Sequence, residues 1–259
     1  MTKATLRMSL LEHLSHLISE SLHGGFWKIA ALGARGAFLL SVLPRLPEGE
    51  LALYVFISAS SLLGSRTMLL GLEDEVPLAV RGECERAAPL TLLVMLGWIG
   101  ALCAGLLLAA YPIVPLAVAM MSLSLASGLL VGGLARTISP AAFEQMMNLP
   151  WLLFAALALL PSIDSALELA VLMSACSILI QIVLTTRLQL LHLPSLESIG
   201  MVAGSLRASL TTSWVKLVSN LSILGAMRAF VLWPKVIVML PLLDSIAFTI
   251  AWGEAFWQL

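Results

Sequence analysis

Charge is what this chain has least of: Asp, Glu, Lys and Arg make up 11% of its 259 residues, against roughly 25% in an ordinary soluble domain. That scarcity argues against a soluble globular enzyme. The net charge of −1 provides no large basic field to attract nucleic acid and no acidic composition of the kind found in disordered chains. Three cysteines, Cys84, Cys103 and Cys176, are odd in number and lack Cys-x-x-Cys spacing, so they support neither a disulfide framework nor a zinc site. No ATP-binding motif occurs, and no cofactor or metal is expected. A cleavable signal is also missing, because the first 25 residues carry Lys3, Arg7, Glu12, Glu20 and three histidines in place of a charged start and an apolar run.

What is plentiful is apolar surface. Hydrophobic residues are 60% of the chain and mean hydropathy is +1.01, more than one water-facing core can hide. A membrane span needs about 20 such residues, which leaves room for roughly seven or eight helices. The fold class expected is all-α: a polytopic helical membrane protein with seven or eight transmembrane helices, one six-helix bundle plus extra C-terminal helices.

Residues 1–25 place Leu6, Leu10, Leu14, Leu17, Ile18 and Leu22 at three- and four-residue steps, the stripe of an amphipathic helix lying in the membrane interface. Gly24-Gly25 is expected to end it. A transmembrane bundle over 26–187 follows, with spans at about 26–43, 51–71, 88–110, 113–134, 150–162 and 166–186. A loop through Arg136 to Pro150 leads to the fifth span, which is short enough that a start inside the loop is the alternative. Residues 188–212 read as a cytoplasmic loop, and 213–259 as one or two further membrane helices, with runs at 213–232 and 236–256. Small residues in both the third and fourth spans, Gly97, Gly100, Ala101, Ala104 and Gly105 in one and Ser122, Ser124, Ser127 and Gly128 in the other, permit close helix approach.

Orientation follows from the basic residues in short loops. A cytoplasmic N-terminus places Lys3, Arg7, Arg81, Arg86, Arg136, Arg187 and Arg207 inside and leaves only Arg45 and Lys235 outside. The expected topology is therefore multi-pass with the N-terminus in the cytoplasm.

An ionisable side chain at bilayer depth costs at least about 2.5–3.5 kcal/mol on insertion scales, so it usually faces a bundle interior or a wet cavity. Arg35 sits near the middle of the first span, between Gly33 and Gly36, and its planar fork suits a phosphate or carboxylate. Its alternative is a structural pair with an acidic group on a neighbouring helix. Arg66, toward the inner end of the second span, is placed either to contact substrate or to snorkel to the headgroups. Gln181 in the sixth span, with Glu144, Gln145 and Asn148 ahead of the fifth, either cross-links helices or supplies the amides a saccharide cavity needs. Asp164 and Glu168 are expected to cap the sixth helix.

Enzymatic signals are sparse. His13, His16 and His23 lack a carboxylate or cysteine at fixed ligand spacing and read as interfacial histidines. Glu73-Asp74-Glu75 offers a Mg²⁺ site of the kind a membrane glycosyltransferase uses, yet the mixed-sign charges around it read as a solvated loop.

Residues 26–73 resemble the start of a known family. A first helix carrying Ala31, Leu32, Gly33, Arg35 and Gly36, a short turn, Glu50 and Tyr54 opening the second helix, and Leu70, Gly71 and Leu72 closing it are similar to the oligosaccharide and polysaccharide flippases of the multidrug/oligosaccharidyl-lipid/polysaccharide superfamily. The resemblance implies a non-enzymatic, multi-pass carrier of the inner (plasma) membrane that moves a polyprenyl-diphosphate-linked oligosaccharide from the cytoplasmic to the periplasmic leaflet by alternating access, with lipid-linked saccharide and membrane lipids as its partners. It also implies two six-helix bundles facing a cationic cavity, whereas this chain supplies one. A divergent short member, a truncated product, a homodimer or a pairing with a second half-transporter would each account for that. Two other functions fit the residues: a non-transporting scaffold subunit of a polysaccharide-synthesis complex, and a membrane glycosyltransferase.

Overall fold

The computed structural model describes residues 3–69, 87–159, 163–190, 218–219 and 221–222. The acidic cluster at 73–75, most of the 188–212 segment and nearly all of the two last apolar runs lie outside the described residues. Six long helices are described: α1 (Lys3–Ser41), α2 (Glu50–Leu69), α3 (Ala87–Ala110), α4 (Val114–Ile138), α5 (Pro140–Ala158) and α6 (Ala166–Arg187), with a 3-10 turn at Leu43–Arg45. Among the described residues α2, α4, α6 and the stretch Leu90–Ala110 of α3 are long and apolar enough to cross a membrane. The chain is a helical membrane protein. The described count of six helices, four of that kind, differs from the expected seven or eight.

Contacts set the helix directions. Ser61 on α2 donates to the Val118 carbonyl of α4 at 3.3 Å, and Ser124 on α4 donates to the Ser174 carbonyl of α6 at 3.3 Å. Lys28 on α1 meets Glu144 on α5, and ten residues further along α1 Phe38 meets Phe154. Hence α1 and α5 run parallel, α2, α4 and α6 run parallel, and the chain alternates direction at each connection. Helix α4 is the hub: it packs on α2, α3, α5 and α6, and α1 packs chiefly along α5. Close approach of α3 to α4 rests on Gly97, where a methyl group would come within 3.1 Å of Ser127 Cβ. Ala101 and Ala104 are buried on the same face, in keeping with small-residue packing in lipid.

The fifth helix begins ten residues earlier than expected. The loop read from Arg136 to Pro150 is helical except at Ser139, whose extended backbone separates α4 from α5. Its hydroxyl accepts the Ala142 N–H at 3.0 Å, and Pro140 occupies the first turn of α5, where it forfeits no hydrogen bond. One capped residue is therefore enough to reverse the chain. Pro150, expected at a helix start, lies inside α5.

Gly24-Gly25 does not interrupt α1 either. The helix runs through both residues for 39 in all, about 58 Å, nearly twice the roughly 30 Å of bilayer hydrocarbon. Glycine costs up to about 1 kcal/mol in a helix interior. Gly24 is buried against α5, with Glu144 Cγ 3.5 Å and Ala141 Cα 4.0 Å from the place a methyl would take, ordinary contact distances.

Helix ends are built from local chemistry. Gly49, at φ 85°, turns the chain into α2, a backbone conformation that favours glycine. Ser165, rather than Asp164, is the N-cap of α6, accepting from the Glu168 N–H at 3.2 Å, and Glu168 reaches back to the Asp164 N–H at 3.1 Å. Glu50, in the first turn of α2, accepts the Ala166 N–H at 2.6 Å. That single bond joins the start of α2 to the start of α6.

Candidate functional site

A cavity of about 570 Å³ lies between α1, α2, α4, α5 and α6, within the 300–1,000 Å³ usual for small-molecule sites. Arg35, Arg66 and Gln181, nominated from sequence on three different helices, all line it. Lys28 and Glu144 line it too.

On α1 the lining residues Lys28, Arg35, Phe38 and Leu39 recur at helical spacing and span about 16 Å along the axis. Helix α2 contributes Tyr54, Ser58, Leu62 and Arg66 at steps of four, one stripe of the helix surface. From α5 come Phe143, Glu144, Asn148 and Trp151. Met121, Met146, Met147 and Met173 add flexible apolar wall, a side chain that fills irregular gaps and repacks readily.

The two ends of the cavity differ. At one, Phe38 stacks at 4.8 Å from Phe154 and 5.8 Å from Tyr54, and Trp151 stands 5.5 Å from Phe154. All but Trp151 are buried, so the aromatic cluster closes that end. The other end carries Lys28, Glu144 and Arg66, with Lys28 half exposed. Arg35 lies between, its guanidinium carbon 4.8 Å from the Trp151 ring centroid. That distance gives a cation–π contact, worth about 2 kcal/mol where water is excluded.

Glu144 is held on both oxygens. Oε1 lies 3.1 Å from Lys28 Nζ, and Oε2 accepts from Asn148 Nδ2 at 3.1 Å. Sequence reading placed Glu144 and Asn148 just before a span and gave Lys28 no role. Their meeting depends on α5 starting at Pro140, inside the expected loop, and on α1 continuing through Gly24.

Gln181 has a different setting from the arginines. It is 1% exposed, and its Oε1 accepts from Trp98 Nε1 at 2.7 Å and from the Ser127 hydroxyl at 2.9 Å. Its Nε2 donates to the Ser124 carbonyl at 3.0 Å and the Ser177 hydroxyl at 2.8 Å. Both donors of the amide and the lone pair facing Trp98 are thus engaged, and the second lone pair shares the single Ser127 proton with the Ser124 carbonyl, 2.9 Å from the hydroxyl. Gln181 ties α3, α4 and α6 together at the cavity wall.

Among the described residues no group of three or more His, Cys, Asp or Glu could hold a metal ion. The chain matches no protein-family model, no curated protein and no solved structure. The site is therefore read from its own chemistry.

Proposed function

We propose that this protein is a flippase-like carrier, and not an enzyme, that moves a lipid-linked (polyprenyl-diphosphate) oligosaccharide across the inner membrane for polysaccharide biosynthesis. The observation that carries the proposal is one cavity, walled by apolar and aromatic side chains, into which three basic residues from two helices converge. Positive charge inside a membrane bundle is costly, and a cargo with an anionic head gives it a use. Guanidinium groups bind phosphate oxygens bidentately, so Arg35 and Arg66 are assigned to the diphosphate. Gln181 is assigned to the scaffold. A volume of about 570 Å³ suits the diphosphate with its first sugars, leaving the polyprenyl tail in lipid. The closed aromatic end and the charged opposite end fit an alternating-access state open on the side of Lys28. The basic-residue count makes that side the cytoplasm. With no ATP-binding motif in the chain, the driving force is an ion or substrate gradient.

The test is reconstitution of the purified protein in liposomes with a fluorescent polyprenyl-diphosphate saccharide, followed by quenching from outside. Protein-dependent movement of the inner-leaflet pool supports the carrier. Equal quenching with and without protein overturns it, and binding without movement favours a scaffold.

A further inference from the structure

We infer that Lys28 is a third anion-binding residue of this cavity and that Glu144 is its exchangeable counter-ion, displaced when the phosphate of the cargo enters. The inference rests on the cavity binding an anionic lipid headgroup, as proposed above.

Four observations carry it. Lys28 lines the same cavity as Arg35 and Arg66, two helical turns from Arg35 on the same face of α1. Its partner is a cavity carboxylate, Glu144, 3.1 Å away. The pair is asymmetric: the Lys28 side chain is 51% exposed and Glu144 only 17%, so the flexible lysine is the member free to swing. Finally, Glu144 keeps a partner when Lys28 leaves, because Asn148 Nδ2 donates both to Glu144 Oε2 at 3.1 Å and to the Glu144 carbonyl at 2.8 Å. Asn148 is itself 8% exposed.

An anion arriving at the charged end exchanges one oxyanion partner of Lys28 for another. Little desolvation is added, since the ammonium is already paired in the empty state. In that state Glu144 neutralises one of the three cations lining the cavity, which lowers the cost of holding them in the bundle. In the loaded state the phosphate takes over that task. Glu144 therefore competes with cargo, and removing its charge tightens binding.

The experiment measures binding of geranylgeranyl diphosphate, with geranylgeraniol as the uncharged control, to the purified full chain in lipid nanodiscs. Lys28→Ala should weaken diphosphate binding by about tenfold, the scale of one charge-assisted hydrogen bond, and leave geranylgeraniol unaffected. Glu144→Gln should tighten it severalfold, and Lys28→Ala/Glu144→Gln should bind as Lys28→Ala does, since Glu144 acts through Lys28. Glu144→Asp, which withdraws the charge from Lys28 by one methylene, should tighten binding in the same sense and serves where Glu144→Gln fails to accumulate. Wild-type binding with unchanged or weaker binding by both Glu144 variants overturns this inference alone. Absence of diphosphate binding by the wild type overturns the headgroup reading of the cavity and this inference with it.

Discussion

The Arg35 guanidinium lies 4.8 Å from the centroid of the Trp151 ring, so the deep cation of α1 is placed by an aromatic face on α5. The face of the ring attracts the guanidinium through its quadrupole and brings no charge of its own into the cavity.

Arg35→Ala should therefore weaken diphosphate binding by at least about tenfold, the scale of a hydrogen bond to a charged group, and abolish polysaccharide export at unchanged membrane abundance. Trp151→Leu should give a smaller, few-fold loss, matching a cation–π contribution of about 0.5–2 kcal/mol. Nanodisc binding and a surface-polysaccharide assay check both. Normal export by Arg35→Ala would sink the assignment.

Gln181→Leu should act on stability and not on cargo. It removes the acceptor of Trp98, and a buried donor left unsatisfied costs about 1–3 kcal/mol. Thermal unfolding in detergent should show the loss, while diphosphate affinity per folded molecule stays near wild type. A selective loss of affinity would return Gln181 to the substrate contacts.

One substitution at two glycines should give opposite results. A side chain at Gly97 meets Ser127 Cβ at 3.1 Å, and one at Gly33 meets nothing within 4 Å. Gly97→Leu should force α3 from α4 at about 1–3 kcal/mol or more, the cost of overpacking, whereas Gly33→Leu should be near neutral. Comparing the melting temperatures of the two variants decides it.

Glu50→Ala removes the acceptor of the Ala166 N–H, 2.6 Å away, and a negative charge from the N-terminus of α6. The expected loss is about 0.5–2 kcal/mol. Ser165→Ala should cost a similar amount. Equal stability of Glu50→Ala and wild type would show that the contact contributes nothing.

Orientation is checked with single cysteines in a background free of Cys84, Cys103 and Cys176. A membrane-impermeant thiol reagent should label Asp164→Cys in intact cells and Ile138→Cys only after lysis, since both positions are exposed at opposite turns of the bundle. The reverse pattern would place the N-terminus outside.

Four helices were legible in the linear pattern because each is a long apolar run between turn residues. The expected spans 51–71, 88–110, 113–134 and 166–186 agree to within a few residues with α2, α3, α4 and α6. Helices α1 and α5 were misjudged at Gly24-Gly25 and at Pro150, residues whose local preference is to interrupt a helix. Arg35 and Arg66 stood out because charge is rare here. Lys28 did not, because a lysine near a span end reads as a snorkelling side chain.

By itself the sequence determined that this is a helical membrane protein, where most of its helices run and which of its few charges interrupt the apolar runs. Those properties follow from hydropathy and spacing, which are local. Only the tertiary structure decided that Lys28 and Arg35 lie along Glu144 and Trp151, that Arg66 faces the same cavity, and that Gln181 bonds to Trp98, Ser124 and Ser177. Each depends on which helix packs beside which, and in lipid that choice is made by close contacts and interhelical hydrogen bonds between residues far apart in the chain.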